Sequence, residues 1–145
     1  MVMRFQVGVI GATGYIAAPY RDEIRASGDD ATIVALSARR REPLEAAGKE
    51  DGAELVTGDW REVVDHARVN FVVVATPDAL HYDAVMACAA AGRHLLCEKP
   101  VGADSAQARL MWTAYRDAGL GHFVPFWTRY VPVFVRAREI FRQGT

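Results

Sequence analysis

The chain has 145 residues, a length that suits one domain, and 51% of them are apolar, enough for a substantial core. A formal net charge of −1 gives no basic face for nucleic acid or for an anionic membrane surface, so neither is expected as a partner. Arginine carries nearly all the positive charge, and Lys49 and Lys99 are the only lysines.

Strand and helix signals alternate from the start. The N-terminus, Met1-Val2-Met3-Arg4, leads directly into an apolar run over residues 5–10 and is not a signal peptide. A helix is predicted over 15–26, stopping near Ser27-Gly28, then a β-branched strand over 32–36 and a short helix over 43–49 with proline near its start. A brief strand over 55–57 follows. Asp59 with Glu62 is a capping box for a helix to about residue 67. Residues 71–75 are the most strand-like segment. A helix over 79–91 closes at Gly92, and residues 94–97 form the next strand. Asp104 with Gln107 caps a long helix ending at Gly119. A last strand over 122–126 and a last helix over 132–142 complete the pattern. Strands alternating with helices of this length predict an α/β fold, a doubly wound, mostly parallel sheet of the Rossmann type, in a single domain. The domain is placed at 1–126, with 127–145 as a connecting segment and helix.

Cys88 falls in a helical run and Cys97 ends a strand, so both read as buried free thiols. No Cys/His spacing resembles a zinc site, and no metal is expected. No apolar run reaches the length of a membrane span. A soluble protein of the reducing cytoplasm is the expectation.

The first strand runs into Gly11-Ala12-Thr13-Gly14-Tyr15-Ile16-Ala17. A pyrophosphate needs close approach to backbone N–H groups at a helix N-terminus. Gly11 permits the tight turn, Gly14 removes a Cβ where phosphate oxygens would sit, and Ala17 is small where helix crosses sheet. Gly11, Ala12, Thr13, Gly14, Tyr15 and Ile16 are the expected cofactor-binding residues of this turn. The spacing is Gly-x-x-Gly-x-x-Ala, not the strict Gly-x-Gly-x-x-Gly. The second strand ends in Ser37-Ala38-Arg39-Arg40-Arg41, and no carboxylate appears until Glu42. An NAD site usually places an acid there for the ribose 2′-hydroxyl. Ser37 can instead donate to a 2′-phosphate, and Arg39 or Arg40 can pair with it. NADP(H) is favoured, with NAD(H) as the alternative.

The fourth strand ends in Ala75-Thr76-Pro77-Asp78-Ala79-Leu80-His81, the fifth in Cys97-Glu98-Lys99-Pro100. Both lie at carboxyl ends, where open α/β sheets bind ligands. With the glycine turn, the run from Ala91-Gly92-Arg93-His94 to Pro100, and Arg129-Tyr130-Val131-Pro132, the chain resembles the N-terminal half of the glucose–fructose oxidoreductase, inositol dehydrogenase and rhizopine-catabolism (Gfo/Idh/MocA) family. The turn departs from the commoner family form and looks like a version found in some sugar-nucleotide dehydrogenases. The resemblance implies an NAD(P)-dependent oxidoreductase of a sugar, cyclitol or related small molecule. It implies that Lys99 is catalytic, lying by the nicotinamide and hydrogen-bonding the reacting hydroxyl, and that Glu98 contacts the nicotinamide ribose and holds Lys99. Pro100 would follow a cis peptide. Ala75, Thr76, Pro77 and His81 would line the cofactor's middle, and Arg129 would approach the nicotinamide or substrate edge. Family members carry a second, mostly β domain that supplies a general acid/base, and a homo-oligomer is compatible with the family. This chain reads as the cofactor part alone, expected to bind cofactor and turn over slowly or not at all. A non-catalytic dinucleotide-sensing module is the competing reading. A short-chain-type epimerase is disfavoured, because Lys99 has Leu95 rather than tyrosine four residues before it.

Overall fold

The computed structural model describes residues 4–144; Met1, Val2 and Met3, which the sequence reading placed before the first strand, and Thr145 lie outside the described residues. The elements, in chain order, are β1 (Phe5–Ile10), α1 (Ala17–Ala26), β2 (Ala31–Ser37), α2 (Arg41–Asp51), β3 (Leu55–Thr57), α3 (Trp60–Asp65), β4 (Phe71–Val74), α4 (His81–Ala90), β5 (His94–Cys97), α5 (Ser105–Asp117), β6 (His122–Phe123) and α6 (Pro132–Arg142). Single 3₁₀ turns occupy Asp78–Leu80 and Trp127–Arg129.

The strands form one sheet in the order β3-β2-β1-β4-β5-β6, with every neighbouring pair parallel. The expected doubly wound α/β architecture is therefore the observed one. Alternate residues of the central strands feed two cores. Val7, Val9, Ile33, Leu36 and Val73 meet Ala17, Leu44 and Ala47 of α1 and α2 on one face. Ile10, Val34, Val72, Val74, Leu95 and Cys97 meet Val63, Val64, Val85, Met111 and Tyr115 of α3, α4 and α5 on the other. Burial on both faces explains why β1, β2 and β4 read as continuous apolar runs. The close approach of α3 to β1 depends on Gly8, where a Cβ would lie 2.5 Å from Val63 Cγ1.

Several boundaries differ from the sequence expectation, among them those of α2, which runs two residues further at each end than the expected 43–49. The first helix begins at Ala17, not Tyr15, because residues 11–16 are consumed by the turn. The helix expected from residue 79 opens as a 3₁₀ turn and becomes α-helical at His81. The last strand is His122–Phe123, not 122–126, since Pro125 offers no N–H to a ladder and the chain then turns at Phe126. Beyond that point Tyr130 is exposed, and α6 leaves Val133, Phe134 and Phe141 exposed.

Polar ties close the sheet's amino end and the α1–α2 layer. Arg93 donates to the carbonyls of Val64, His66 and Val69, holding the chain between α3 and β4. The fully buried carboxylate of Asp51, at the end of α2, accepts from Arg21 and Arg25 of α1. Without Asp51, Arg21 and Arg25 are left to share Glu50, a half-exposed carboxylate that compensates the buried Arg21 charge less well. Asp51→Ala is expected to lower unfolding free energy by about 3 kcal/mol, read as a lower urea midpoint at unchanged slope; a midpoint within error of the parent would show that Glu50 alone holds Arg21.

Candidate functional site

The strand order reverses between β1 and β4, and a cleft of about 420 Å³ opens beyond their carboxyl ends. Its wall comes from four strand ends: Gly11, Thr13 and Gly14 after β1; Ser37, Ala38, Arg39 and Arg40 after β2; Gly58 and Trp60 after β3; Ala75, Thr76, Pro77 and Leu80 after β4. A hollow of about 300 Å³ between α5 and the β5–β6 edge is almost wholly apolar. It offers no charged group, so it does not suit a dinucleotide.

The glycine turn is built from backbone. Gly11 has φ +86°, and a Cβ there would lie 2.7 Å from the Ala75 carbonyl oxygen. The N–H groups of Gly11 and Ala12 both donate to the Ser37 carbonyl, at 2.9 and 3.0 Å, and that of Gly14 donates to the Gly11 carbonyl. The N–H groups of Thr13, Tyr15 and Ile16 have no acceptor among the described residues. They stand at the N-terminus of α1, where the helix dipole favours an anion. The role expected of Gly14 changes. A Cβ there would press on the turn's own Gly11 oxygen at 3.2 Å, so its smallness serves the turn before any ligand. Ala12 is buried and its N–H is occupied, so it supports the turn and has no group to offer a cofactor.

At the end of β2 the two arginines divide. Arg40 donates to the Thr13 carbonyl at 2.7 Å and ties this loop to the glycine turn. Arg39 and Ser37 both belong to the cleft wall, Arg39 exposed and Ser37 buried. Trp60 and Leu80 complete the wall; Trp60 reads in sequence only as the first residue of a helix, and nothing there marks it as cleft-lining.

The ends of β4 and β5 are fastened from behind. His81 is fully buried, its Nδ1 2.9 Å from the Pro100 carbonyl oxygen and its Nε2 2.9 Å from that of Thr76. It therefore bridges the two segments and does not line the cleft, contrary to expectation, because both nitrogens are engaged and no surface is open. Glu98 is buried as well. One carboxylate oxygen accepts from the Tyr20 hydroxyl of α1, the other from the Lys99 backbone N–H at 3.0 Å. Burial, and then the bond to Glu98, hold the Tyr20 phenol well above its usual range. Tyr20 carries no sequence signal beyond its place in α1. The Lys99–Pro100 peptide is cis. Lys99 is exposed and lies outside the residues that line the cleft. Arg129 falls in a separate hollow with Phe126, Phe134 and Arg138, so the cleft as shaped here does not include it.

The Thr76 hydroxyl is buried at the cleft wall with no hydrogen-bond partner among the described residues. A cradle with free N–H groups, a glycine that a Cβ would jam, and this unpartnered hydroxyl fit a dinucleotide lying from the end of β2 to the end of β4.

A model of the Gfo/Idh/MocA family, an oxidoreductase family with an NAD-binding Rossmann fold, matches residues 5–126. The chain belongs to this family. Levoglucosan dehydrogenase of Pseudarthrobacter phenanthrenivorans is 34% identical over 98 residues, 68% of this chain and 25% of that protein. Trans-1,2-dihydrobenzene-1,2-diol dehydrogenase of Macaca fascicularis is 34% identical over 113 residues, 78% of this chain and 34% of that protein. The crystal structure of the WlbA dehydrogenase of Bordetella pertussis, solved with NADH and UDP-GlcNAcA, superposes with a TM-score of 0.87 at 27% identity, covering 98% of this chain and 44% of that one. The chain thus spans between a quarter and a half of the length of these relatives. It corresponds to the NAD-binding Rossmann fold of the Gfo/Idh/MocA family.

The unpartnered Thr76 hydroxyl separates folding from binding. Replacing a buried, unsatisfied hydroxyl by a methyl of similar shape removes a desolvation cost of about 1 kcal/mol. Thr76→Val is expected to melt at the parent temperature or slightly above it, while its affinity for nicotinamide dinucleotide falls. A clear loss of melting temperature would show that the hydroxyl already has a structural partner.

Proposed function

We propose that this chain is the cofactor half of a dehydrogenase that moves a hydride between nicotinamide and a hydroxyl or carbonyl of a sugar, cyclitol or related small molecule. The observation that carries the reading is the glycine turn: the N–H groups of Thr13, Tyr15 and Ile16 have no acceptor among the described residues and lie at the N-terminus of α1, beside a cleft at the reversal of strand order whose wall includes Thr13 but not Tyr15 or Ile16. The names of the relatives support the substrate class, since levoglucosan and dihydrobenzene diol both carry ring hydroxyls.

The residues divide the work along the cleft. Thr13, Tyr15 and Ile16 would hold the pyrophosphate through backbone N–H groups, and Thr76 would give its hydroxyl to the middle of the dinucleotide. The nicotinamide, when bound, supplies the hydride acceptor or donor. Lys99 would hydrogen-bond the reacting substrate oxygen and stabilise its developing negative charge. Glu98 keeps the Lys99 backbone in place. We assign the general acid or base to the part of the relatives' length that this chain does not span. A reducing, cytoplasmic setting is part of the same reading. It is supported by Cys88 and Cys97, both buried and unpaired, with burial raising each thiol to about 12. No helix among the described residues is long and apolar enough to cross a membrane.

NADP(H) is the preferred form in this proposal. Ser37, Arg39 and Arg40 stand where an NAD site has its carboxylate, and Arg39 is the guanidinium left free to meet a 2′-phosphate once Arg40 is engaged with Thr13. The Bordetella pertussis structure holds NADH, so the preference rests on these residues of this chain. Calorimetry on the chain is expected to give micromolar to millimolar dissociation constants, with NADPH bound roughly tenfold more tightly than NADH. Arg39→Ala should bring the two within about threefold of each other. Equal affinities in the parent would remove the phosphate preference, and no binding of either at millimolar concentration would remove the cofactor reading.

A further inference from the structure

Glu98 is a buried carboxylate without an ion-pair partner among the described residues. A charge taken out of water must be compensated by hydrogen bonds. Two neutral donors do this: the Tyr20 hydroxyl on one oxygen and the Lys99 backbone N–H on the other. Tyr20 stands one turn into α1, the helix whose N-terminus forms the glycine turn. Lys99 stands just past β5, two strands away from β1. A continuous chain of contacts therefore runs from the turn, through α1 and the Tyr20 hydroxyl, through the Glu98 carboxylate, to the Lys99 backbone.

We propose that Tyr20 is a positioning residue for Lys99: its hydroxyl fixes the Glu98 carboxylate, and through it the backbone of the lysine, relative to the turn that faces the pyrophosphate. The role rests on the reading of Lys99 as the group that meets the substrate. The competing role is packing, because the Tyr20 ring also lies against the core between the sheet and α1–α2. Phenylalanine keeps that packing and loses only the donor. With one donor gone, the carboxylate turns toward water, and its grip on the Lys99 N–H loosens.

The chain's two lysines make the test direct. A sample labelled with ¹⁵N-lysine gives backbone amide signals for Lys49 and Lys99 alone, assigned with Lys49→Arg. In Tyr20→Phe, hydrogen exchange at Lys99 is expected to quicken roughly tenfold or more, the loss of one charge-assisted hydrogen bond. Lys49 exchange should stay as in the parent, and Glu98→Gln should reproduce the effect at Lys99. Unchanged Lys99 exchange in Tyr20→Phe would overturn the proposal, and so would faster exchange at both lysines together, the mark of general destabilisation. Adding NADPH to the parent tests the underlying reading separately. A Lys99 signal that ignores NADPH, while Tyr20→Phe still loosens it, would retain the hold on Glu98 and remove Lys99 from the nicotinamide end of the site.

Discussion

Everything at the carboxyl edge of the sheet is arranged around the backbone of Gly11. Its N–H and that of Ala12 share the carbonyl of Ser37, which locks the end of β2 to the end of β1. Its α-carbon lies so close to the carbonyl of Ala75 that no side chain fits between β1 and the end of β4. Three strand ends thus converge on one residue with a positive φ, which only glycine adopts without strain. The direction in which the chain leaves β1, and hence the position of the α1 N-terminus, follows from that convergence.

The cleft owes its character to a division between groups engaged behind it and groups left free in front. On its wall, Arg40 ties the β2 loop to Thr13 through an exposed hydrogen bond; behind it, His81 bridges Thr76 and Pro100, and Glu98 joins α1 to Lys99. The His81 and Glu98 contacts satisfy buried polar groups, which makes the loops after β4 and β5 rigid. In front remain the N–H groups of three turn residues, the Thr76 hydroxyl and the guanidinium of Arg39. A site prepared in this way loses little conformational freedom when it takes up a ligand.

Much of this was legible in the sequence, and the reasons are physical. Continuous apolar runs such as residues 71–74 mark strands covered on both faces, and the helices between them announce their ends through Asp59, Asp104, Gly92 and Gly119. The glycine turn was visible because a tight turn after a strand demands residues without side chains. What escaped was whatever depends on the direction of a side chain across the fold. His81 sits beside Thr76 and Pro77 in sequence, yet its ring faces Pro100 from within and closes itself off from the cleft. Tyr20 is a residue of α1 like its neighbours until the fold brings Glu98, 78 positions later, against its hydroxyl. Arg129 lies apart from the cleft because β6 ends after two residues and the chain turns away. Long-range juxtapositions of this kind leave no periodicity to read.

Which N–H groups of the glycine turn are free to meet an anion decides where the cofactor's pyrophosphate lies. Amide chemical shifts during an NADPH titration of the ¹⁵N-labelled chain measure this residue by residue. Thr13, Tyr15 and Ile16 should move together and saturate, while Gly11, Ala12 and Gly14, already bonded to the Ser37 and Gly11 carbonyls, should move less. A turn that does not respond, with shifts confined to the apolar hollow between α5 and β6, would contradict the placement of the cofactor site at the end of β1.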